Sequence, residues 1–162
     1  MNRVLSLRSS LNAGGCSFEA RITADYGDAI HQFSMACTFD PGGTLRFRVL
    51  SPETIADITG EVSAGGGKLT FDDTLLAFEL LADGQFSPVS GPWVIMQALV
   101  GGYITSCGMD DGKLRATIRD TYAEDALTAD IWMDENNYPV YGEIYWDNRR
   151  ILTMEIINFA LV

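Results

Sequence analysis

Three kinds of side chain in this sequence could do chemistry: one histidine, three cysteines and several adjacent carboxylates. His31 shares the parity of Phe33 and Met35 in "HQFSMACTF", so it is expected to face inward near Gly27-Asp28 as a hydrogen-bonded rim residue. No nucleophile has an identifiable base and orienting group, as a catalytic triad needs. The pairs Asp72-Asp73, Asp110-Asp111 and Asp134-Glu135 all fall at predicted turns, where carboxylates are solvated turn formers and not an acid/base pair across a substrate. "MDDGK" lacks the alternate-oxygen spacing of a calcium loop. Cys16, Cys37 and Cys107 have no C-x-x-C spacing, which speaks against zinc. Neither a catalytic site, a metal nor a cofactor is expected.

Cys16 and Cys37 fall on the inward face of neighbouring predicted strands. A Gly27-Asp28 turn pairs Cys37 with Phe18 and leaves the cysteines diagonal, too far apart for good bridge geometry. A Tyr26-Gly27 turn sets them directly opposite. Buried thiols acting as small apolar residues are the expectation, with Cys107 left over.

The elements that would position these groups are mostly strands. The chain has 162 residues, 47% of them hydrophobic, which suits one globular domain over 1–162. Its net charge of −11 excludes the basic stripe that nucleic acid or anionic lipid would need, and self-repulsion favours a soluble monomer. "SFEARITADY" alternates Phe18, Ala20, Ile22 and Ala24 against polar neighbours. Phe33, Met35, Cys37 and Phe39 share one face of the next strand. A Pro41-Gly42-Gly43 loop then pairs Phe39 with Leu45, Cys37 with Phe47 and Met35 with Val49. "KLTFDDTLLAFELL" reads as a hairpin about Asp72-Asp73, after a Gly65-Gly66-Gly67 loop, with Phe71 and Phe78 on the same face.

One helix interrupts the meander. Ser90 or Gly91 caps it, Pro92 takes the first turn, and "WVIMQALVGGYI" follows. Trp93, Met96, Leu99, Val100 and Tyr103 form a stripe, and Val94, Ile95 and Ala98 fill most of the remaining circumference, so the helix is expected to be buried. The lid region spans 90–107 and residues 1–14 are a lead-in. "MNRVLSLRSS" shows no apolar core followed by a small-residue cleavage site, so no signal peptide is visible. No apolar run is long enough to span a bilayer. The order of elements predicts a mainly β, α+β fold: one curved antiparallel sheet with helix packed inside it.

"IWMDENNYPVYGEIYWDNRRILTMEI" reads as three strands joined by turns at Asn136-Asn137 and Asp147-Asn148. This pairs Met133 with Val140, Ile131 with Gly142 and Thr153, and Ala129 with Ile144 and Ile151. The second face carries Trp132, Tyr141 and Met154, then Asp130, Glu143 and Leu152, then Tyr145 and Arg150. Small Ala129 and Gly142 mark a concave surface approached closely by the helix or by a ligand.

"LTADIWMDENNYPVYGEIYWDNRRILTMEIINF", with "CTFDPGGTLRFRVLSPETIADITGEV" and "GGGKLTFDDTLLAFEL" before it, resembles the lipoprotein-localisation-factor (LolA/LolB-like) superfamily in pattern and order across most of residues 16–160. The resemblance implies an unclosed antiparallel β half-barrel with a helical lid on its concave face. It also implies a place outside the cytoplasm, often as a membrane-anchored lipoprotein, and the binding or sensing of a lipid, acyl chain or other hydrophobic group. On that reading the cavity is lined from the strands by Phe33, Met35, Phe47, Phe71, Phe78 and Ile131, and from the helix region by Trp93, Met96, Leu99 and Tyr103. Burial of an acyl chain there would contribute about 0.8 kcal/mol per methylene. The same side chains could instead fill the core. The chain would then be a protein-interaction or sensor domain, without lipid, that meets an envelope protein through Trp132, Tyr141, Tyr145 and Trp146 beside an open sheet edge.

Overall fold

The structure, a computed structural model, describes residues 1–63, 70–71, 88–119 and 127–162, with the backbone alone at 70 and 71. The expected Asp72-Asp73 hairpin, the Gly65-Gly66-Gly67 loop and Phe78 lie outside the described residues. Helix α1 (Asn2–Gly14) is followed by β1 (Cys16–Asp25), β2 (Ile30–Phe39), β3 (Leu45–Ser51), β4 (Thr59–Val62) and β5 (Thr70–Phe71). Helix α2 (Gly91–Gly101) precedes β6 (Tyr103–Asp110), β7 (Lys113–Arg119), β8 (Thr128–Met133), β9 (Pro139–Trp146) and β10 (Arg149–Leu161).

The described strands make one antiparallel sheet in the order β5-β4-β3-β2-β1-β10-β9-β8-β7-β6. The chain starts mid-sheet at β1, meanders out to one edge, and returns from the other edge to lay β10 beside β1. The two edges do not pair, so the sheet is an open half-barrel. Bulges interrupt five of its pairings, β1–β10, β10–β9, β2–β3, β6–β7 and β8–β9, and each bends a strand and adds twist. The curvature therefore has local causes.

Alternation holds where turns are tight. Phe18 pairs with Cys37, the register of a turn centred on Gly27-Asp28, and Cys16 and Cys37 are diagonal, free and buried. Phe39–Leu45, Cys37–Phe47 and Met35–Val49 pair as the Pro-Gly-Gly loop requires. Further on, Ile131 pairs with Gly142 and Ala129 with Ile144.

Two expected pairings are corrected. A bulge at the start of β9 sets Met133 against Pro139 in place of Val140. A second bulge, between Arg150 and Leu152, shifts β10 by one residue, so that Gly142 meets Met154, Ile144 meets Leu152 and Glu143 meets Thr153. One inserted residue reverses parity. Met154 and Leu152 therefore join the buried inner face, while Thr153 and Glu155 take their places outside. Residues 2–14 of the lead-in form α1, whose Val4, Leu7 and Leu11 recur at helical spacing and are buried.

Helix α2 crosses the concave face in contact with β2, β7, β8, β9 and β10, and α1 packs on α2 and β10. Pro92 sits in the first turn of α2, where its missing N–H costs nothing. No helix among the described residues is long and apolar enough to cross a membrane.

Candidate functional site

The half-barrel offers two surfaces, an inner face under the helices and an outer face. The inner one holds most of the residues expected to line a cavity. Met35, Met96, Leu99 and Ile131 are fully buried, and Phe33 and Phe47 are buried beside them. Trp93 is half-buried, and its indole N–H donates to the carbonyl of Gly43 at 3.0 Å, with Gln97 Nε2 donating to the same oxygen at 3.2 Å. Phe71 belongs to β5, where only its backbone is described.

Tyr103 departs from expectation. It lies on β6 and is 52% exposed, because the helix stops at Gly101. A β-carbon on Gly102 would come within 2.4 Å of Ile118 Cγ2 and 2.8 Å of the Ala98 carbonyl oxygen, so only glycine lets the chain leave the helix there.

The small residues of the inner face receive the helix. A β-carbon on Gly142 would sit 3.0 Å from Ile95 Cδ1, and one on Gly91 would sit 3.0 Å from Leu152 Cδ1. The close approach signalled by Gly142 is thus filled by α2. Cys16 Sγ lies 3.7 Å from Met96 Sδ, and burial raises the Cys16 thiol to about 12. The Cys37 thiol is raised too, by burial first and then by Cys16. These are inert core sulfurs.

Arg8 of α1 caps α2. Its Nε donates to the Leu99 carbonyl at 2.6 Å, and its Nη2 donates to Gly102 at 2.9 Å and Ala98 at 3.2 Å. A cation on the orphan carbonyls of a helix C-terminus satisfies them and complements the dipole. Nearby, Arg3 donates to Asn137 Oδ1 and the Asp134 carbonyl, tying α1 to the β8–β9 turn.

The outer face of β7–β10 is organised around two carboxylates. Asp130 and Glu143 pair directly across β8 and β9, and they are 5% and 7% exposed. Like charges opposite one another are unfavourable unless each is compensated. Asp130 accepts from Arg115 Nη2 at 2.5 Å and Thr117 Oγ1 at 2.7 Å. Glu143 accepts from Arg150 Nη1 at 2.7 Å, Tyr145 OH at 3.1 Å and Tyr141 OH at 3.3 Å. The hydrogen bonds to Asp130 and Glu143 hold Arg115 and Arg150 above their ordinary values, while burial, then Glu143, raises both phenols.

The network fixes aromatic side chains as well. The Arg115 guanidinium lies 5.0 Å from the Trp132 ring centroid, and Trp132 packs on Tyr141 at 5.2 Å. The Trp132 indole N–H donates to Asp110 Oδ2 at 2.9 Å. Beside this cluster a polar groove of about 620 Å³ is lined by Arg115, Thr117, Arg119, Thr128, Asp130 and Tyr145, among others. A second groove, of about 700 Å³, crosses the outer face of β1–β4 over Ala36, Thr38 and Gly60, walled by Arg46, Arg48 and Glu61.

His31, expected to face inward, is instead exposed near the start of β2, with its ring edge-on to Tyr26 at 5.1 Å. The turn carboxylate Asp134 accepts from the Asn136 and Tyr138 amides, the role expected of it. Strand parity had already put Asp130 and Glu143 on one face with Trp132 and Tyr141. It could not reveal their burial, nor that β7 would supply Arg115 and Thr117.

No protein-family model and no curated protein matches the chain. Among solved structures it is similar to an uncharacterised conserved protein from Thermus thermophilus, at 7% identity over 99% of this chain and 86% of that one, with a TM-score of 0.47. It is also similar to a LolA superfamily protein from Nitrosomonas europaea, at 8% identity over 98% and 93%, TM-score 0.43. MucB of Pseudomonas aeruginosa, solved with MucA, is a third, at 12% identity over 99% of this chain and 57% of that one, TM-score 0.45. These likenesses concern the fold.

Proposed function

We propose that this chain is a non-enzymatic binding protein outside the cytoplasm that meets an envelope protein through the outer face of β7–β10. The observation that carries this reading is the contrast in filling: α2 occupies the hollow at Gly142, while Asp130 and Glu143 brace Arg115, Trp132, Tyr141, Tyr145 and Arg150 outside. Trp, Tyr and Arg dominate the energetics of protein interfaces. Side chains already held in place lose less entropy on binding. A photo-crosslinking residue at Tyr145 is expected to capture a discrete protein in intact cells, and one at Thr38, on the far half of the outer face, is not. Equal labelling from both positions, or none from Tyr145, overturns the reading. Fractionation of the same cells tests the location, membrane anchoring included.

A second reading keeps a lipid or acyl chain as ligand, held between the concave face and α2 by Phe33, Met35, Phe47, Met96, Leu99 and Ile131. It is favoured by the inner-face parity of the sheet, which is apolar from Phe18 and Ile22 to Met154. Native mass spectrometry of freshly purified protein separates the two. A stoichiometric acyl-bearing adduct selects the ligand reading. A bare mass that survives incubation with mixed lipids selects the protein-partner reading.

A further inference from the structure

A further groove crosses the middle of the outer face. It holds about 510 Å³ and runs over β9, β10, β1, β2 and the end of β3, which are successive neighbours at the centre of the sheet. Register explains its shape. One wall is the row Tyr141, Glu155, Arg21, Ser34 and Ser51, and the other is the row Thr153, Thr23 and Gln32, each set by direct cross-strand pairing. Between the rows lie Ile22 and Phe33, whose side chains are buried on the inner face, so backbone forms the floor. A bulge between Ser34 and Met35 sets Ser51 opposite Ser34, and Pro52 closes that end. Tyr141 closes the other, held by Trp132 at 5.2 Å and by its hydroxyl bond to Glu143. Four strand spacings make the groove about 19 Å long.

We propose that this groove binds a neutral oligosaccharide laid across the strands, with a sugar ring against Tyr141 and sugar hydroxyls on Thr23, Gln32, Ser34 and Thr153. The chemistry of the walls selects this class. The only formal charges in the lining, Arg21 and Glu155, cancel and face each other at 3.8 Å, although the chain as a whole carries −11. A charged polymer therefore meets no opposite charge there. Apart from Tyr141 and Pro52 the wall side chains are polar, so an acyl chain or an apolar peptide anchor has no pocket to fill. What the walls do offer is hydroxyls and an amide, which both donate and accept, as sugar hydroxyls do. The electron-rich face of a tyrosine ring receives the C–H side of a sugar. Contacts of this kind in an open groove give weak binding, on the order of 0.1–1 mM. The groove shares Tyr141 with the protein-partner surface but does not depend on it.

Nuclear magnetic resonance titration of the isotope-labelled full chain with cellohexaose, maltohexaose and chitohexaose, each to ~10 mM, tests this. The expected result is saturable movement of the Thr23, Gln32, Ser34 and Thr153 amide signals with at least one of the three, while Thr38, in the groove over β1–β4, stays still. Thr23→Val keeps the shape of the side chain and removes its hydroxyl, and it should weaken binding about two- to tenfold. Gln32→Ala, at an exposed position, should act in the same direction, and Thr38→Val should change nothing. No movement with any of the three sugars at the highest concentration overturns the proposal. So does binding that both Thr23→Val and Gln32→Ala leave unchanged. Equal movement of the same signals by a neutral hexapeptide of glycine, serine and threonine assigns the groove to a protein segment and overturns it as well.

Discussion

The two faces of the half-barrel solve opposite problems with the same strands. On the inner face, side chains of alternate residues meet a helix that is apolar nearly all round, and order comes from shape: Ile95 in the hollow at Gly142, and Leu152 against Gly91. On the outer face of β7–β10, order comes from charge and hydrogen bonds, with two buried carboxylates each satisfied by an arginine and by hydroxyls. An apolar inner face tolerates lost volume poorly and is indifferent to pH near neutrality. A carboxylate network tolerates changes of volume but not the loss of one partner.

The sharpest way to break the comparison is to remove volume inside. Leu99→Ala, at a fully buried position on α2, should lower unfolding stability by about 3 kcal/mol in urea denaturation, with the aromatic packing outside unaltered by near-UV circular dichroism. Removing one partner outside should cost less. Glu143→Ala leaves Arg150 and two phenols without their acceptor, for about 2 kcal/mol, because Arg150 can still reach solvent. Its signature should be a change in Tyr and Trp near-UV signals that Leu99→Ala does not produce. Arg8→Ala, which uncaps α2, should cost about 1 kcal/mol and raise hydrogen exchange in the last turn of α2, leaving its first turn protected.

The last effect is silent near neutrality, is one of pH, and belongs to the inner face. The Cys16 thiol is raised from its ordinary 9.0 to about 12 by burial, so its neutral form is the one the fold favours. Below pH 9 both folded and unfolded chains carry the proton and stability is unaffected. From pH 9 toward 12 the unfolded chain ionises while the folded chain does not, and stability falls. Cys16→Ala should make that alkaline limb shallower in a series of denaturation curves, with buried Cys37 supplying what remains. An unchanged limb would mean that Cys16 contributes nothing to it.

How much was legible follows from how local each cause is. The inner parity of β1–β3 and the β2–β3 register could be read because a Gly-containing turn and strict alternation fix pairing over a few residues, while the β1–β2 register stayed open between turns at Gly27-Asp28 and Tyr26-Gly27 until the structure paired Phe18 with Cys37. The burial of α2 could be read because its apolar residues surround the whole circumference. The reversal at Ile151 could not, since a bulge inserts one residue into a strand without altering its composition. Helix α1 was missed because Val4, Leu7 and Leu11 make a thin stripe among polar residues, and their partner is a helix almost ninety residues away. The exit of Tyr103 from the helix depended on Ile118, which only the fold brings to Gly102.

The sequence by itself therefore determined the mainly β class, the inner parity of β1–β3, the buried α2 and the need for something to fill the hollow at Gly142. Tertiary structure alone decided that a helix side chain fills it, that Met154 faces in and Glu155 faces out, and that Asp130 and Glu143 are compensated by residues from β7 and β10. Parity and turn chemistry act between neighbours along the chain, whereas bulge position and charge compensation are settled by strands that meet only after folding.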